Sequence, residues 1–258
     1  MSVIIRLIMA AAIASCCVAA MQASITLISE DFNGSSATNL NGTHAGTVDD
    51  AILIAGGDTT WRAPSDGAIR ADGSISGAIK GSAYLKLGSY IDSTMGSAEG
   101  RFILTATLTK PFGGGAWTSL GFFSESANDN RLATHNFTDV ALAGMATAVH
   151  RRGTDTGANF FAGPQSYHAF DPGNLSAEVT FSIELDFTPA GGYNGVTHFG
   201  TVRFRDPLDP SRVSWSHTYT KPISIRGVGF GYAGSLHGGI DAFSLIQKPI
   251  FPAIEPRR

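Results

Sequence analysis

Between Thr180 and Phe187 every second residue is apolar: Phe181, Ile183, Leu185 and Phe187 alternate with Thr180, Ser182, Glu184 and Asp186. A period of two places the apolar set on one face of an extended chain and the polar set on the other. The pattern returns downstream. Val213, Trp215, His217 and Tyr219 alternate with Ser214, Ser216, Thr218 and Thr220, and Val228, Phe230 and Tyr232 alternate with Gly227, Gly229 and Gly231. Strands with one packed and one wet face belong to antiparallel sheets, since a parallel sheet is covered on both sides. Two such sheets stacked on their apolar faces make a sandwich.

The rest of the chain agrees. Strand-like runs are expected at Ser24–Phe32, Ala51–Ile54, Ala83–Leu87, Phe102–Thr109, Trp117–Phe123, Val179–Phe187, Val196–Phe204, Val213–Thr220, Val228–Tyr232 and Ile240–Ile246, with the loop Asn33–Thr47 after the first. Val140–Val149 reads as a further strand, although its alanines also suit a helix. Gly, Asn, Asp or Pro punctuates almost every gap. No linker or fixed-period repeat divides the chain. Charged residues make up only 15% and glycines number 31, which favours short strands and tight turns over long helices. A single domain of 24–248 is expected, with a short tail of 249–258.

The first 23 residues look like a secretory signal peptide. Arg6 and the amino terminus supply positive charge, Leu7–Ala14 is apolar, and small residues run on to Ala23. The segment is too short for a membrane span with its flanks, so the mature chain is expected to carry no transmembrane helix. Cys16 and Cys17, the chain's 2 cysteines, both fall inside it. The mature chain then has neither disulfide nor thiol nucleophile. Ile13-Ala14-Ser15-Cys16 also matches a bacterial lipobox, which leaves lipid anchoring through Cys16 as an alternative to plain secretion.

The net charge of −3 supplies no basic field for nucleic acid, and Arg151-Arg152 is too small a pair to form one. None of the seven histidines (His44, His135, His150, His168, His198, His217 and His237) forms a closely spaced zinc-ligand pair. No Gly-x-Ser-x-Gly elbow is present. Trp61, Tyr90, Tyr167 and Tyr193 fall in or near expected loops and are candidate sugar platforms, because a flat ring covers the apolar face of a pyranose. Trp117, Trp215 and His217 fall in strands and are expected in the core. Oxygen-rich turns at Asp49-Asp50, Asn128-Asp129-Asn130 and Asp206-Pro207-Leu208-Asp209 are candidate calcium loops. They are equally ordinary turn sequences.

Leu27-Ile28-Ser29-Glu30-Asp31-Phe32-Asn33-Gly34, Trp117-Thr118-Ser119-Leu120-Gly121-Phe122-Phe123, Val228-Gly229-Phe230-Gly231 and Gly239-Ile240-Asp241-Ala242-Phe243-Ser244-Leu245 resemble the opening, central and closing strands of the concanavalin A-like (LamG-like) jelly-roll domains of exported bacterial proteins. The resemblance implies an all-β, two-sheet antiparallel jelly-roll sandwich. It further implies carbohydrate or protein binding and sometimes calcium, with Asp31 and Asp241 on the terminal strands that this fold brings together. Phe251-Pro252-Ala253-Ile254-Glu255-Pro256-Arg257-Arg258 partly resembles a Pro-Glu-Pro sorting tail, with Ile254 in place of the first Pro and no apolar anchor helix.

Ile183-Glu184-Leu185-Asp186-Phe187 resembles the catalytic strand of jelly-roll β-glucanases, where a Glu-x-Asp-x-x-Glu pattern carries nucleophile and acid. Pro189 stands where the second Glu belongs. Retaining hydrolysis needs two carboxyls roughly 5–5.5 Å apart across the bond. The expected function is therefore a non-catalytic extracellular module for polysaccharide or another glycan. A glycoside hydrolase or lyase using Glu184 and Asp186 is the first alternative. A structural or adhesive surface protein is the second.

Overall fold

The structure is a computed structural model and describes residues 23–63, 68–75, 81–111, 116–124, 145–153, 157–163, 166–173, 175–233 and 238–249. Cys16, Cys17, His135, His237, the 128–130 turn and nearly all of the leader and tail lie outside the described residues. Among the described residues no helix is long and apolar enough to cross a membrane.

Strands β1 (Ile25–Glu30), β2 (Thr47–Val48), β3 (Ser74–Ile75), β4 (Gly81–Lys86), β5 (Arg101–Thr109), β6 (Trp117–Phe123), β7 (Met145–Arg152), β8 (Ala158–Phe161), β9 (Tyr167–Phe170), β10 (Glu178–Asp186), β11 (Thr201–Asp206), β12 (Asp209–Thr218), β13 (Gly227–Ala233) and β14 (Gly238–Gln247) form two sheets. The eight-stranded sheet runs β12-β11-β10-β5-β14-β1-β2, with β3 also on β14, and the six-stranded sheet runs β4-β13-β6-β7-β8-β9. Every pairing between them is antiparallel. The chain is a two-sheet antiparallel jelly-roll sandwich. Its terminal strands are neighbours: Ile28 pairs with Leu245 and Glu30 with Phe243.

The two-residue period sorts side chains as the sequence implies. Phe102, Leu104, Ala106 and Leu108 of β5 and Val179, Phe181, Ile183 and Leu185 of β10 enter the core, where Leu120, Phe122, Val228, Phe230 and Tyr232 also lie. Phe204 of β11 stacks on Phe160 of β8 at 4.6 Å, joining the two sheets. At one end Trp61 meets Phe32, Phe230 and Phe243 with ring centroids 5.4–5.8 Å apart. Arg151 points inward from β7 and donates to the carbonyl oxygens of Leu108 and Ser176. Burial lowers its pKa to about 10.

Two local readings change. Ala51–Ile54 is not a strand but most of helix α1 (Asp50–Ile54). Asp49 caps it by accepting from the Ala51 N–H at 2.9 Å, and Asp50 adds a favourable charge to the first turn. Only Ile52 is buried there. Val196–Phe204 becomes strand only from Thr201, because Asn194 Oδ1 accepts from the N–H groups of Val196, Thr197 and His198 and holds them in a turn. The described part of Val140–Val149 is strand, within β7. A second short helix, α2 (Tyr90–Thr94), precedes β5.

Over β4, β6 and β7 the outer face of the six-stranded sheet is not wet. Tyr84, Trp117, Ser119, Phe123 and His150, which face away from the core, are all buried. The glycines of β13 belong to this face, and their role is close approach. A Cβ on Gly229 would stand 2.1 Å from the Ala83 carbonyl oxygen and 2.7 Å from Tyr84 Cα. Gly229→Ala is expected to lose about 1–3 kcal/mol of stability through overpacking, read as a lower urea midpoint. A wild-type midpoint would contradict this packing.

Candidate functional site

Four strands of the six-stranded sheet place aromatic rings in one row on its outer face. Trp117 of β6 stacks on His150 of β7, with centroids 4.9 Å apart and planes 7° from parallel. His150 lies 4.5 Å from Phe161 of β8, and Phe161 lies 5.2 Å from Tyr167 of β9. Strand pairing creates the row: Ser119 pairs with His150, Ala148 with Phe161, and Phe161 with Tyr167. Exposure rises along it. Trp117 and His150 are buried, Phe161 is half-buried, and Tyr167 is 56% exposed at the sheet edge.

A polar chain flanks the exposed end. Asn159 of β8 satisfies both neighbours when its amide nitrogen donates to the Tyr167 hydroxyl at 3.1 Å. Its oxygen then accepts from Arg152 Nε at 3.0 Å and Nη2 at 3.3 Å. The Tyr167 hydroxyl keeps its own proton for an outside acceptor. A flat ring bordered by hydroxyl, amide and guanidinium groups can cover a sugar's apolar face and bond its hydroxyls.

Of the four aromatic candidates, the structure leaves only Tyr167 as an exposed platform. Trp61 is fully buried, and its Nε1–H donates to Glu30 Oε2 at 3.2 Å. Tyr90 sits on α2 with its ring edge-on to Phe102, and its hydroxyl donates to Gln247 Oε1 at 2.9 Å. Burial, aided by the charges of Asp49 and Glu99, raises its pKa. Tyr193 turns edge-on to Phe187. Trp61, Tyr90 and Tyr193 are packing residues because core rings lie beside each. The row itself escaped sequence reading: β8 and β9 were not anticipated, and Trp117 faces away from the core. Its one signal is the recurrence of aromatics in Ala158-Asn159-Phe160-Phe161 and Tyr167-His168-Ala169-Phe170.

Glu184 and Asp186 share the outer face of the eight-stranded sheet, as alternation requires, but they are not solvent-facing. Glu184 is 1% exposed and Asp186 is 4% exposed. Arg101 Nε and Nη2 contact Glu184 Oε1 at 3.1 and 3.0 Å, and Arg203 Nη1 reaches the same oxygen at 2.9 Å. Arg205 Nη2 holds Oε2, and Arg203 Nη1 also bonds Asp186 Oδ2 at 2.8 Å. Burial pushes the Glu184 carboxyl up, but the bonds and charges of Arg205 and Arg101 outweigh it and hold the pKa below the ordinary value. A carboxylate held ionised by three guanidiniums has no proton to give a leaving group, and charge-assisted bonds to both of its oxygens blunt it as a nucleophile. This geometry does not suit the paired roles that hydrolysis needs.

An open cleft of about 810 Å³ lies beside β1 and β14, lined by Glu30, Asp31, Asn33, Thr43, His44 and Ser244 among others. Its carboxylates are engaged locally. Glu30 accepts from the N–H groups of Phe32 and Gly46, and Asp31 from Asn33 Nδ2. Asp241, exposed nearby on β14, accepts from the Ala242 N–H. Among the described residues no group of three or more His, Cys, Asp or Glu side chains could hold a metal ion. Asp31 and Asp241 fall short of the six to eight oxygens calcium takes. The other acidic turns have local duties. Asp49 caps α1, and Asp206 Oδ1 accepts from Leu208 N–H in the β11–β12 turn.

Of the described histidines, His168 stacks on Trp215 at 5.6 Å, and His217 lies between Trp215 and Tyr219 at the half-buried edge of the core. Burial lowers the His217 pKa.

No protein-family model matches the chain, and no curated protein sequence matches it. Loose likenesses to solved structures exist. The CBM2 module of the evolved Dit of Lactobacillus casei BL23 phage J-1 aligns at a TM-score of 0.42 and 11% identity, over 89% of this chain and 98% of that one. The carbohydrate recognition domain of Emp46p, in a metal-free form, aligns at 0.42 and 10%, over 70% and 84%. A Trypanosoma rangeli sialidase aligns at 0.43 and 11%, over 69% of this chain but only 25% of the sialidase. The chain spans 66% of a prokaryotic beta-1,3-1,4-glucanase (lichenase) derived from a mouse hindgut metagenome. Likeness of this degree carries no argument about what this chain binds.

Proposed function

We propose that this chain is a non-catalytic extracellular module that binds a glycan at the exposed end of the aromatic row, on Tyr167 and Phe161, with the Tyr167 hydroxyl and Arg152 bonding sugar hydroxyls and buried Asn159 holding both in place. One observation carries the reading: the graded exposure of four adjoining rings ends in a tyrosine that is 56% exposed and hydrogen-bonded through Asn159 toward Arg152. The leader-like first 23 residues support export. The engagement of Glu184 and Asp186 by arginine weighs against the hydrolase alternative.

The test is affinity electrophoresis of the purified protein through gels holding neutral polysaccharides. Retardation by at least one glycan is expected, without clearing of the substrate. Tyr167→Ala should weaken that retention by about 3–10-fold, the loss of one aromatic contact, with little change in thermal stability because the ring is exposed. Retention unchanged by Tyr167→Ala would remove the site. Clearing of the gel would revive an enzymatic role.

A further inference from the structure

The ion cluster on the eight-stranded sheet holds more positive charge than its carboxylates need. Arg101, Arg203 and Arg205 face two acids, Glu184 and Asp186, so three guanidiniums minus two carboxylates leave one positive charge within the cluster. The charges are also layered. The carboxylates lie beneath, with side chains 1% and 6% exposed, and the guanidiniums lie above at 22–27%. Solvent therefore meets N–H donors first.

Arg203 spends only Nη1 on Glu184 and Asp186. Its Nε–Nη2 edge, the edge that grips a carboxylate with two parallel hydrogen bonds, engages no described residue. Both acids hold Arg203 in place, so a ligand would not bear the usual entropy cost of ordering a long side chain. Asp186 raises the Arg203 pKa against the effect of burial, so the charge persists at any ordinary pH.

The surrounding face is open and hydroxylated. Thr105 and Thr107 of β5, Thr180 and Ser182 of β10, and Ser216 of β12 point outward and are exposed or half-buried. Thr107 and Thr180 bond across the strands at 2.8 Å. The outward positions of β5, β10 and β11 carry no aromatic ring, so this face cannot stack a pyranose as the Tyr167 face can.

We propose that this outer face is a second binding surface, which takes the carboxylates of a uronic-acid polysaccharide on the free edge of Arg203, with Arg101 and Arg205 beside it. The surface is separate from the Tyr167 site and takes a different class of glycan, so either can fail without the other.

The test uses the purified full chain in gels holding polygalacturonate, dextran sulfate or dextran, together with an NMR titration of the arginine Nε–H signals by trigalacturonate. Polygalacturonate should retard the wild type, dextran should not engage this face, and the Arg203 Nε–H signal should shift. Arg203→Lys keeps the charge that holds Glu184 and Asp186 but loses the planar fork. It should stay folded by circular dichroism and bind polygalacturonate about tenfold more weakly. Equal retardation of wild type and Arg203→Lys would overturn the proposal. So would an unmoved Arg203 signal, or dextran sulfate retarding as strongly as polygalacturonate, which would mark plain charge attraction. Shifts confined to Tyr167 and Phe161 would also overturn it, while supporting the first site.

Discussion

Trp61→Ala is expected to destabilise the protein by about 3–5 kcal/mol, lowering the melting temperature by roughly 6–20 °C for a chain of this size. Trp61 is wholly buried, and three rings, Phe32, Phe230 and Phe243, close around it. Truncation leaves a cavity between rings supplied by the first strand's end and by the last two strands. None of these can collapse without moving its strand. It also removes the indole donor from Glu30, which keeps the Phe32 and Gly46 N–H groups. Trp61→Phe should recover most of the loss, because an aromatic ring refills the site. Neither variant should change glycan retention at temperatures where it stays folded. A Trp61→Ala protein that melts like wild type but loses retention would instead make Trp61 a ligand platform.

Glu184→Gln is the second large effect, expected at about 2–4 kcal/mol. Breaking a buried ion pair typically costs roughly 3–5 kcal/mol. Here water can still reach the arginines left behind, whose side chains are about a quarter exposed, which reduces the cost. The same group sets an acid limit. Its pKa is lower folded than unfolded, so the unfolded chain binds the proton first as pH falls. The stabilisation is full above the unfolded value, about 4.3. It is lost as pH falls from there through the folded value. Chemical denaturation of wild type and Glu184→Gln from pH 7 to pH 3 checks both points. The gap between them should be wide at pH 7 and narrow on acidification. A constant gap would contradict the ionic account.

The strand skeleton was legible where alternation is strict. The residue period of β10 alone sorts Phe181, Ile183 and Leu185 into the core and Thr180, Ser182 and Glu184 outward. What the period cannot tell is what lies over the outward set. Glu184 reads as wet because its partners, Arg101 and Arg203, sit 83 and 19 residues away and meet it only through the register of β5 and β11 with β10. Gly227, Gly229 and Gly231 read as a solvent face for the same reason. Nothing local says that Tyr84 lies against them. At Ala51–Ile54 a short apolar run suited a strand as well as a helix, and the Asp49 cap decided between them. The aromatic row was the least legible feature. Its four rings come from four strands, and two of those strands, β8 and β9, are only four residues long. Of the four, the sequence offers only Tyr167 as a sugar platform and places it in a loop, whereas it lies in a strand.

The reading of this chain as a glycan-binding module meets its most direct test in an NMR titration of the purified protein. The ligand is an oligosaccharide of whichever neutral polysaccharide retards the protein in gels, and the signals followed are the aromatic and amide side-chain resonances. The account predicts shifts at Tyr167, Phe161 and Asn159 Nδ2 that saturate together and fade toward Trp117. Saturable binding that leaves those three signals unmoved, or no binding by any glycan in the panel, would contradict it.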